Sequence, residues 1–314
     1  MKDFLWETNQ LGPDQPAMLR RSGAYLLMVV VVLILGFNWP ILAIGLRDVS
    51  PVWMTAIRVC SGAIIVVAVA AMTGRLHFPP RGDLPVVLSV AVLRLGLVFF
   101  LVFTALTIVP AGRSSVLVWT ASLWVVPMAV IALGERMSRL RWAGLAIGIA
   151  GVVVLIEPWR LAWDEPRVIL GIGMLLLSAI LNAATAVHIR HHTWVSTPLR
   201  VMPWQLLIAM VLTLGVAFAA EGMPRIHWTP SLVAVIVYEG VLATGLALWA
   251  QVSVLRSLPA VSTNLSMMMV PVVGVLASAL LLGEVITATV VAAMALIFVG
   301  VSLNLGADRS VAES

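Results

Sequence analysis

The chain has little charge and almost no cysteine. Only 11% of its 314 residues are charged, and Cys60 is the single cysteine. One cysteine cannot form an intramolecular disulfide, and Cys60 has no CxxC partner. Because soluble domains carry about 25% charged residues, this composition argues against a water-soluble enzyme, a disordered chain and a nucleic-acid-binding domain.

Sites for polyanions, nucleotides and metals are also missing from the sequence. The 19 Lys and Arg residues outnumber the 14 Asp and Glu residues, but they sit singly between apolar runs and form no basic patch. The chain contains no P-loop, no HExxH and no GxSxG motif. We therefore expect no nucleic-acid partner, no cofactor, no metal, no enzymatic activity and no transport driven by ATP.

Apolar residues are in large excess. They make up 61% of the chain, and the mean hydropathy is +1.09. A bilayer core of about 30 Å is crossed by roughly 20 apolar helical residues. The chain divides at Pro, Gly and charged residues into ten such segments, which predicts an all-α integral membrane protein with ten transmembrane helices in the lipid bilayer. The predicted spans are Gly23 to Leu46, Val52 to Met72, Leu84 to Leu106, Ala111 to Leu133, Leu140 to Ile156, Val168 to Ile189, Leu199 to Ala220, Ser231 to Leu255, Val261 to Leu282 and Ile286 to Leu305.

Charge in the loops predicts the orientation of these spans. With the N-terminus in the cytoplasm, twelve Lys and Arg residues fall in cytoplasmic segments and five on the other side. We therefore expect residues 1–22 and 307–314 to be cytoplasmic. The first apolar stretch, about 24 residues long, exceeds a signal-peptide core of roughly 7 to 15 residues and indicates a retained span. The remaining two basic residues, Arg58 and Arg94, fall within spans.

The sequence repeats itself with a shift of 149 residues. This shift predicts two five-helix units, residues 23–157 and 168–306. Because five is odd, the second unit enters the membrane from the opposite side, which gives the inverted repeat typical of secondary transporters with a midplane substrate site. The coinciding stretches are Pro110-Ala111 with Pro259-Ala260, Leu133-Gly134-Glu135 with Leu282-Gly283-Glu284, and Gly151-Val152 with Gly300-Val301.

This repeated pattern resembles a known family. A Pro-Ala helix start, a span ending in Leu-Gly-Glu and a following span ending in Gly-Val resemble the EamA domain of the drug/metabolite transporter superfamily. The likeness extends from about Ala24 to Gly306 and includes the Asn38-Trp39 pair and Pro51 with Arg58. The resemblance implies a carrier of the bacterial inner membrane, commonly an exporter of amino acids or related metabolites.

The fourth span departs from the pattern of that family. The family usually has a proline in the middle of the fourth and ninth helices. The ninth span keeps it as Pro271, whereas the fourth has Ser122 at that place and Pro127 further along. We therefore expect the kink of the first repeat to be displaced.

Charged residues inside spans are the strongest candidates for a site, because a charge at the bilayer centre must face a partner or water. Arg94 lies about 15 Å from the start of the third span and Glu239 about 12 Å from the start of the eighth, at 1.5 Å per residue. This similar depth predicts a midplane pair of Arg94 and Glu239 that responds to protons or to substrate charge. A structural ion pair, or two side chains that snorkel to opposite faces, is the alternative.

Other polar and aromatic residues inside the spans form a second candidate set. The 149-residue shift makes Trp119 and Met268 equivalent, so we expect them to meet near the pseudo-symmetry axis. Aromatic and methionine side chains with a few amides would suit an amphipathic substrate. The alternative is that these residues only pack helices together. The full set is Asn38, Trp39, Trp119, Thr120, Asn182, Gln205, Tyr238, Gln251, Asn264 and Met268.

Glu135 and Glu284 each follow a glycine at the end of a span. A carboxylate at the start of a helix can cap free backbone N–H groups and interact favourably with the helix dipole. We therefore predict that both glutamates are structural caps of the helices that follow them.

The leading functional hypothesis is a secondary carrier that works by alternating access and exports a small amphipathic metabolite, such as an amino acid. Two alternatives stay open. A proton- or ion-coupled importer of a small nutrient would use the same fold. A membrane receptor without transport has less support, because the chain has no soluble sensor domain. The sequence does not identify the substrate, the coupling ion or the oligomeric state.

Overall fold

A computed structural model describes residues 21–74, 76–133, 139–159, 165–257, 263 and 266–312. Within these residues every regular element is a helix. Six helices are long and apolar enough to cross a membrane, and three shorter apolar helices lie at Trp142–Ile156, Met269–Leu282 and Ala288–Leu303. The described part of the chain is therefore that of a multi-pass membrane protein.

The helix bounds follow the predicted spans to within a few residues at most ends. Helix α3 includes a 3₁₀ turn and a π-helical segment, and α9 is built from three consecutive segments. The helices are α1 (Arg21–Gly45), α2 (Pro51–Met72), α3 (Arg81–Leu106), α4 (Ala111–Trp119), α5 (Ala121–Leu133), α6 (Arg139–Ile156), α7 (Pro166–His191), α8 (Pro198–Glu221), α9 (Pro230–Val237, Tyr238–Leu246 and Ala247–Ser257), α10 (Met269–Leu282) and α11 (Ala288–Ala312).

Two π-helical segments occupy matching places in the two halves of the chain. Val90–Val98 is the middle of α3, and Tyr238–Leu246 is the middle of α9. A π-helical segment adds one residue to a turn, widens the backbone and frequently occurs at functional sites. The two candidate charged residues of the sequence, Arg94 and Glu239, both lie in these segments.

The fourth predicted span is broken into α4 and α5 at Thr120, which forms a turn. The hydroxyl of Ser122 donates to the carbonyl of Trp119 at 3.1 Å, and the hydroxyl of Thr120 donates to the carbonyl of Leu117 at 2.6 Å. Such side-chain bonds compete with the helix ladder and bend helices. The interruption therefore coincides with two such hydroxyl bonds and lies seven residues before Pro127.

The corresponding turn in the second half lies at Met268, just before α10. Pro271 has no N–H and cannot bond to the carbonyl four residues earlier, so it disfavours a continuous helix there. Under the 149-residue shift Met268 corresponds to Trp119, one residue from the turn at Thr120. The prediction of a displaced kink is therefore wrong, because the turn at Thr120 lies within one position of the place that corresponds to the turn at Met268.

Helices α6 and α11 pack closely through small residues. A Cβ atom on Gly300 would lie 2.5 Å from the carbonyl oxygen of Gly144 and 2.8 Å from Cα of Gly148. A Cβ atom on Gly151 would likewise lie 2.9 Å from the side chain of Ile297. Small residues let helix backbones approach each other in a membrane. The Gly-Val ends of the two repeats are thus contact points between them.

Packing across the rest of the bundle also joins the two halves of the chain. Helix α1 packs on α10, α2 packs on α8 and α9, and α4 packs on α10. The largest apolar cluster includes Trp39, Phe103, Leu117, Leu175 and Ile297. These contacts bring α2 and α9, with their charged residues, side by side in the interior.

Loop contacts fall into two groups, one for each end of the bundle. At one end the hydroxyl of Thr229 donates to Asp48 at 2.7 Å, and that of Ser50 donates to Glu221 at 2.5 Å. At the other end the buried Asp83 accepts from the backbone N–H groups of Val195 and Ser196 at 3.1 and 3.0 Å. Each contact joins loops that the predicted topology puts on the same side of the membrane.

Candidate functional site

A buried ion pair joins Arg58 of α2 and Glu239 of α9. Their side chains are 9% and 0% exposed, and the contact runs from Nη1 of Arg58 to Oε2 of Glu239. At 1.5 Å per residue, Arg58 lies about 10 Å from the start of α2 and Glu239 about 14 Å from the start of α9. The pair therefore lies deep within both helices.

Asn38 of α1 completes this cluster. Its side-chain oxygen accepts from Nη1 of Arg58 at 3.4 Å. With the amide turned to satisfy both neighbours, the oxygen accepts from Arg58 at 3.2 Å and the nitrogen donates to the two carboxylate oxygens of Glu239 at 2.9 and 3.1 Å. The choice between amide orientations follows from the hydrogen-bond network. Asn38, Arg58 and Glu239 thus form one buried triad of polar side chains.

Two aromatic rings of α3 lie on one side of the guanidinium of Arg58. Its central carbon lies 4.6 Å from the ring centroid of Phe99 and 5.8 Å from that of Phe103. An arginine above an aromatic face gains a cation–π attraction that increases when water is excluded. Next to Glu239 in the chain, Tyr238 donates its hydroxyl to the carbonyl of Ile34 on α1 at 2.5 Å. The triad is therefore polar in its centre and aromatic on one side.

The predicted pair of Arg94 and Glu239 is wrong. The side chain of Arg94 is accessible to solvent and makes no ion pair with a described residue. Distance along a helix fixes the depth of a residue but not the side to which it points, and Arg94 and Arg58 were both within spans. The sequence did contain a signal for the correct partner, because Arg58 is the other arginine inside a span and shares the family pattern with Asn38.

Three further predicted residues are well packed. Trp39 is buried in the largest apolar cluster, and a Cβ on Gly274 would lie 3.3 Å from its ring. Trp119 and Met268 are half-buried against that same cluster. Each lies at or next to an interruption in its span. Direct contact between Trp119 and Met268 stays a prediction.

The remaining predicted residues differ in their surroundings. Thr120 is fully buried and forms the turn between α4 and α5. Asn182 on α7, Gln205 on α8 and Gln251 on α9 are half-buried, and no hydrogen bond joins them to the triad. Asn264 lies outside the described residues. The structure thus brings Asn38 and Glu239 together and does not join Asn182, Gln205 or Gln251 to them.

Glu284 is a cap, but of a different helix from the one predicted. Its carboxylate accepts from the backbone N–H of Ala111 at 2.6 Å and from that of Gly112 at 2.9 Å. These groups begin α4, in the other half of the chain, rather than the helix that follows Glu284. Gly112 allows this approach, because a Cβ there would lie 3.0 Å from the carboxylate. The prediction for Glu135 falls outside the described residues.

A cavity of about 210 Å³ adjoins this cap. Its lining includes Arg113, whose Nη2 donates to Glu157 at 2.6 Å. The other lining residues are Pro110, Gly112, Val275, Glu284, Val285, Ile286 and Val290. The described residues contain no group of three or more His, Cys, Asp or Glu side chains that could hold a metal ion.

Comparison with known proteins gives three further findings. An uncharacterised transporter of Bacillus subtilis, YoaV, is 24% identical over 281 residues, which cover 88% of this chain and 94% of that protein. A protein of Salmonella typhimurium named probable amino-acid metabolite efflux pump is 27% identical over 307 residues, covering 92% and 96%. A solved crystal structure with 22% identity has a TM-score of 0.61 and covers 90% of this chain and 97% of its own, so it has the same fold.

The model of the EamA-like transporter family matches the chain twice, at residues 22–157 and 169–306. Asn38 and Arg58 lie in the first match and Glu239 in the second, so the buried triad joins the two matched stretches. Relatives along most of the chain are named as transporters. The chain therefore belongs to the EamA-like transporter family, whose members are membrane transporters of small molecules.

Proposed function

We propose that this protein is a secondary carrier of the bacterial inner membrane that exports amino acids or similar amphipathic metabolites by alternating access. The observation that carries this proposal is the buried ion pair between Arg58 and Glu239, because it joins the two family-matched stretches in the interior. The name of the Salmonella relative supports the substrate class.

The proposed architecture is ten spans in two inverted five-helix repeats, 23–157 and 168–306, with both termini in the cytoplasm. The grouping of loop contacts at the two ends of the bundle supports it. So do the matching π-helical segments of α3 and α9. Reporter fusions test the topology: fusions at Gly134 should report the cytoplasm and fusions at Gly283 the outside. Both sites on one side would contradict the inverted repeat.

In this proposal, separation of Arg58 from Glu239 is the step that links the buried triad to transport. Separating two buried charges without replacement costs about 3–5 kcal/mol. Opening the bundle between α2 and α9 therefore requires substrate, water or a proton on Glu239. In this mechanism Glu239 is the acid that responds to a proton or to a cationic group of the substrate, and Arg58 is its counter-charge.

Flux measurements in proteoliposomes test this function. We expect the purified protein to move labelled amino acids, with a rate that depends on the imposed pH gradient. Glu239→Gln keeps the shape but cannot ionise, and should remove the pH dependence while the protein still inserts. Arg94→Gln is the matched control, since it removes a span arginine that is outside the pair. A Glu239→Gln variant with unchanged rate and pH profile would contradict the proposal.

The direction of transport distinguishes an exporter from an importer. Cells that overproduce an exporter should tolerate toxic amino-acid analogues better than control cells, whereas an importer should make them more sensitive. No effect on any analogue, together with no flux in vesicles, would favour a receptor without transport.

Trp119 is proposed to contact the substrate. It is half-buried next to the interruption between α4 and α5, whereas Trp142 is exposed on α6. Trp119→Ala should therefore change rate or substrate preference several-fold more than Trp142→Ala at equal protein abundance. Equal effects that follow abundance alone would indicate that both tryptophans only pack.

A further inference from the structure

The guanidinium of Arg58 has binding capacity that its neighbours do not use. The side chain of Arg58 makes two polar contacts, to Glu239 and to Asn38, and both are made by Nη1. Nε is buried and has no hydrogen-bond partner among the described residues. An arginine presents five N–H donors in a rigid fork that fits a carboxylate with two parallel bonds. One edge of Arg58 is therefore free to bind a carboxylate.

Glu239 offers the opposite charge in the same place. Its side chain is fully buried, and an ionised carboxylate only accepts hydrogen bonds, from an ammonium as readily as from a guanidinium. Asn38 contacts both partners, and its amide can present either an oxygen or a nitrogen. The triad thus has a donor, an acceptor and a group that serves both.

We propose that a zwitterion inserts between Arg58 and Glu239, its carboxylate on Arg58 and its ammonium on Glu239. Two new ion pairs then replace the one that is broken, so no buried charge loses its partner. A molecule with only one of the two charges would leave Arg58 or Glu239 unpaired, which is costly in a dry interior. The rings of Phe99 and Phe103 beside Arg58 provide an apolar wall for the rest of the molecule.

This assignment rests on the proposed carrier function and adds to it a rule for substrate choice. The bound class is small zwitterions in which an ammonium and a carboxylate are close together, as in α-amino acids. N-acetylated and amidated forms, which each lack one charge, should be rejected.

Proteoliposome uptake tests the rule with named probes. Twenty labelled L-amino acids are supplied one at a time, followed by the N-acetyl and amide forms of the fastest one. The wild-type protein should carry the parent compound at least 10-fold faster than either derivative. Glu239→Gln should reduce this ratio for the N-acetyl form to near 1, and Arg58→Gln should do the same for the amide. Arg94→Gln should leave both ratios unchanged.

Folding is checked with a charge-exchanged variant. The double substitution Arg58→Glu with Glu239→Arg keeps both charges and should preserve the preference for the parent compound, even where a single variant inserts poorly. Equal rates for all three forms in the wild-type protein would overturn the zwitterion assignment and leave the carrier function standing. No transport of any probe would overturn both.

A separate observation concerns the cap formed by Glu284. It joins the two halves of the chain at one end of the bundle, because Glu284 follows α10 and its partners begin α4. Gly112 has no side chain that would block the carboxylate of Glu284, and the adjoining cavity is lined by residues of both halves. The ion pair of Arg113 and Glu157 at the same end lies within the first half alone.

We infer that Glu284 is a clamp that closes this end of the protein and releases α4 when the end opens. Release of this clamp would free the start of α4 from the segment that follows α10 and open this end of the bundle.

Thiol labelling tests the clamp. In a Cys60→Ser background, Val290→Cys places a thiol in the cavity beside Glu284, where Val290 is only 4% exposed. Glu284→Ala should raise the rate of labelling by an impermeant maleimide at least 5-fold, measured in right-side-out and inverted vesicles. Glu221→Ala, which removes a carboxylate bonded to Ser50 outside the lining of this cavity, should leave the rate unchanged. Equal rates in the wild-type and Glu284→Ala backgrounds would overturn the clamp.

Discussion

The two halves of this protein share their backbone features but not their buried charges. Both have a π-helical segment in the middle of one helix, and both interrupt another helix at nearly the same place. The triad has no such symmetry. Under the 149-residue shift, Arg58 corresponds to Leu207 and Glu239 to Val90.

This difference separates the requirements of movement from those of recognition. A protein that opens alternately to two sides needs equivalent backbone devices in both halves. A small asymmetric substrate needs one site, so its charged groups need to occur once. The duplicated features are therefore the candidates for moving parts, and the single-copy triad is the candidate for the binding site.

The largest expected effect comes from deleting one charge of the triad. Glu239→Ala leaves Arg58 buried without a counter-charge, so it should lower the free energy of unfolding by about 3–5 kcal/mol. Val90→Ala, at the equivalent position, should cost about 1 kcal/mol, as a typical substitution does. Denaturant titration of the protein in detergent micelles would measure both. Equal losses of unfolding free energy in Glu239→Ala and Val90→Ala would contradict the assignment of a buried ion pair to Glu239.

A smaller effect is expected at the duplicated contact between α6 and α11. Gly151→Leu and Gly300→Leu should each cost about 1–3 kcal/mol, because a side chain there meets a neighbouring backbone or side chain. Gly215→Leu is the control, since no atom lies within 4 Å of the Cβ position of Gly215. Thermal unfolding in micelles would rank the three variants. A Gly300→Leu variant with the same thermal stability as the wild-type protein would rule out close packing of α6 and α11.

The smallest expected effect concerns the two interrupted helices. Ser122→Ala removes the bond to the carbonyl of Trp119 and should cost about 1 kcal/mol. Pro271→Ser places the residue of the first half in the second half and should keep transport within about twofold, since the first half has its turn with a serine at this position. Flux assays on both variants would measure this. A complete loss in Pro271→Ser would show that the two interruptions are not interchangeable.

Much of the fold was predictable because length and hydropathy determine where helices can cross a bilayer. The ends of α2 and α6, for example, lie within one residue of the predicted spans. The partner of Glu239 was not predictable in this way. Spacing along a helix gives depth, whereas partner choice depends on how α2, α3 and α9 are rotated about their axes. The turn at Thr120 was missed for another reason, because no proline marks it and Pro127 lies seven residues further along the chain.

The distance along the chain between Arg58 and Glu239 has a consequence for synthesis of the protein. At about 5–20 residues per second, the roughly 180 residues between them take about 9–36 s to make. During that time α2 holds an arginine whose partner does not yet exist, and an arginine at the centre of a membrane helix costs about 2.5–3.5 kcal/mol on insertion. The other residues of α2 are mostly apolar, and their transfer into the bilayer offsets this cost. The apolar excess of α2 therefore stabilises the inserted helix until α9 supplies its carboxylate.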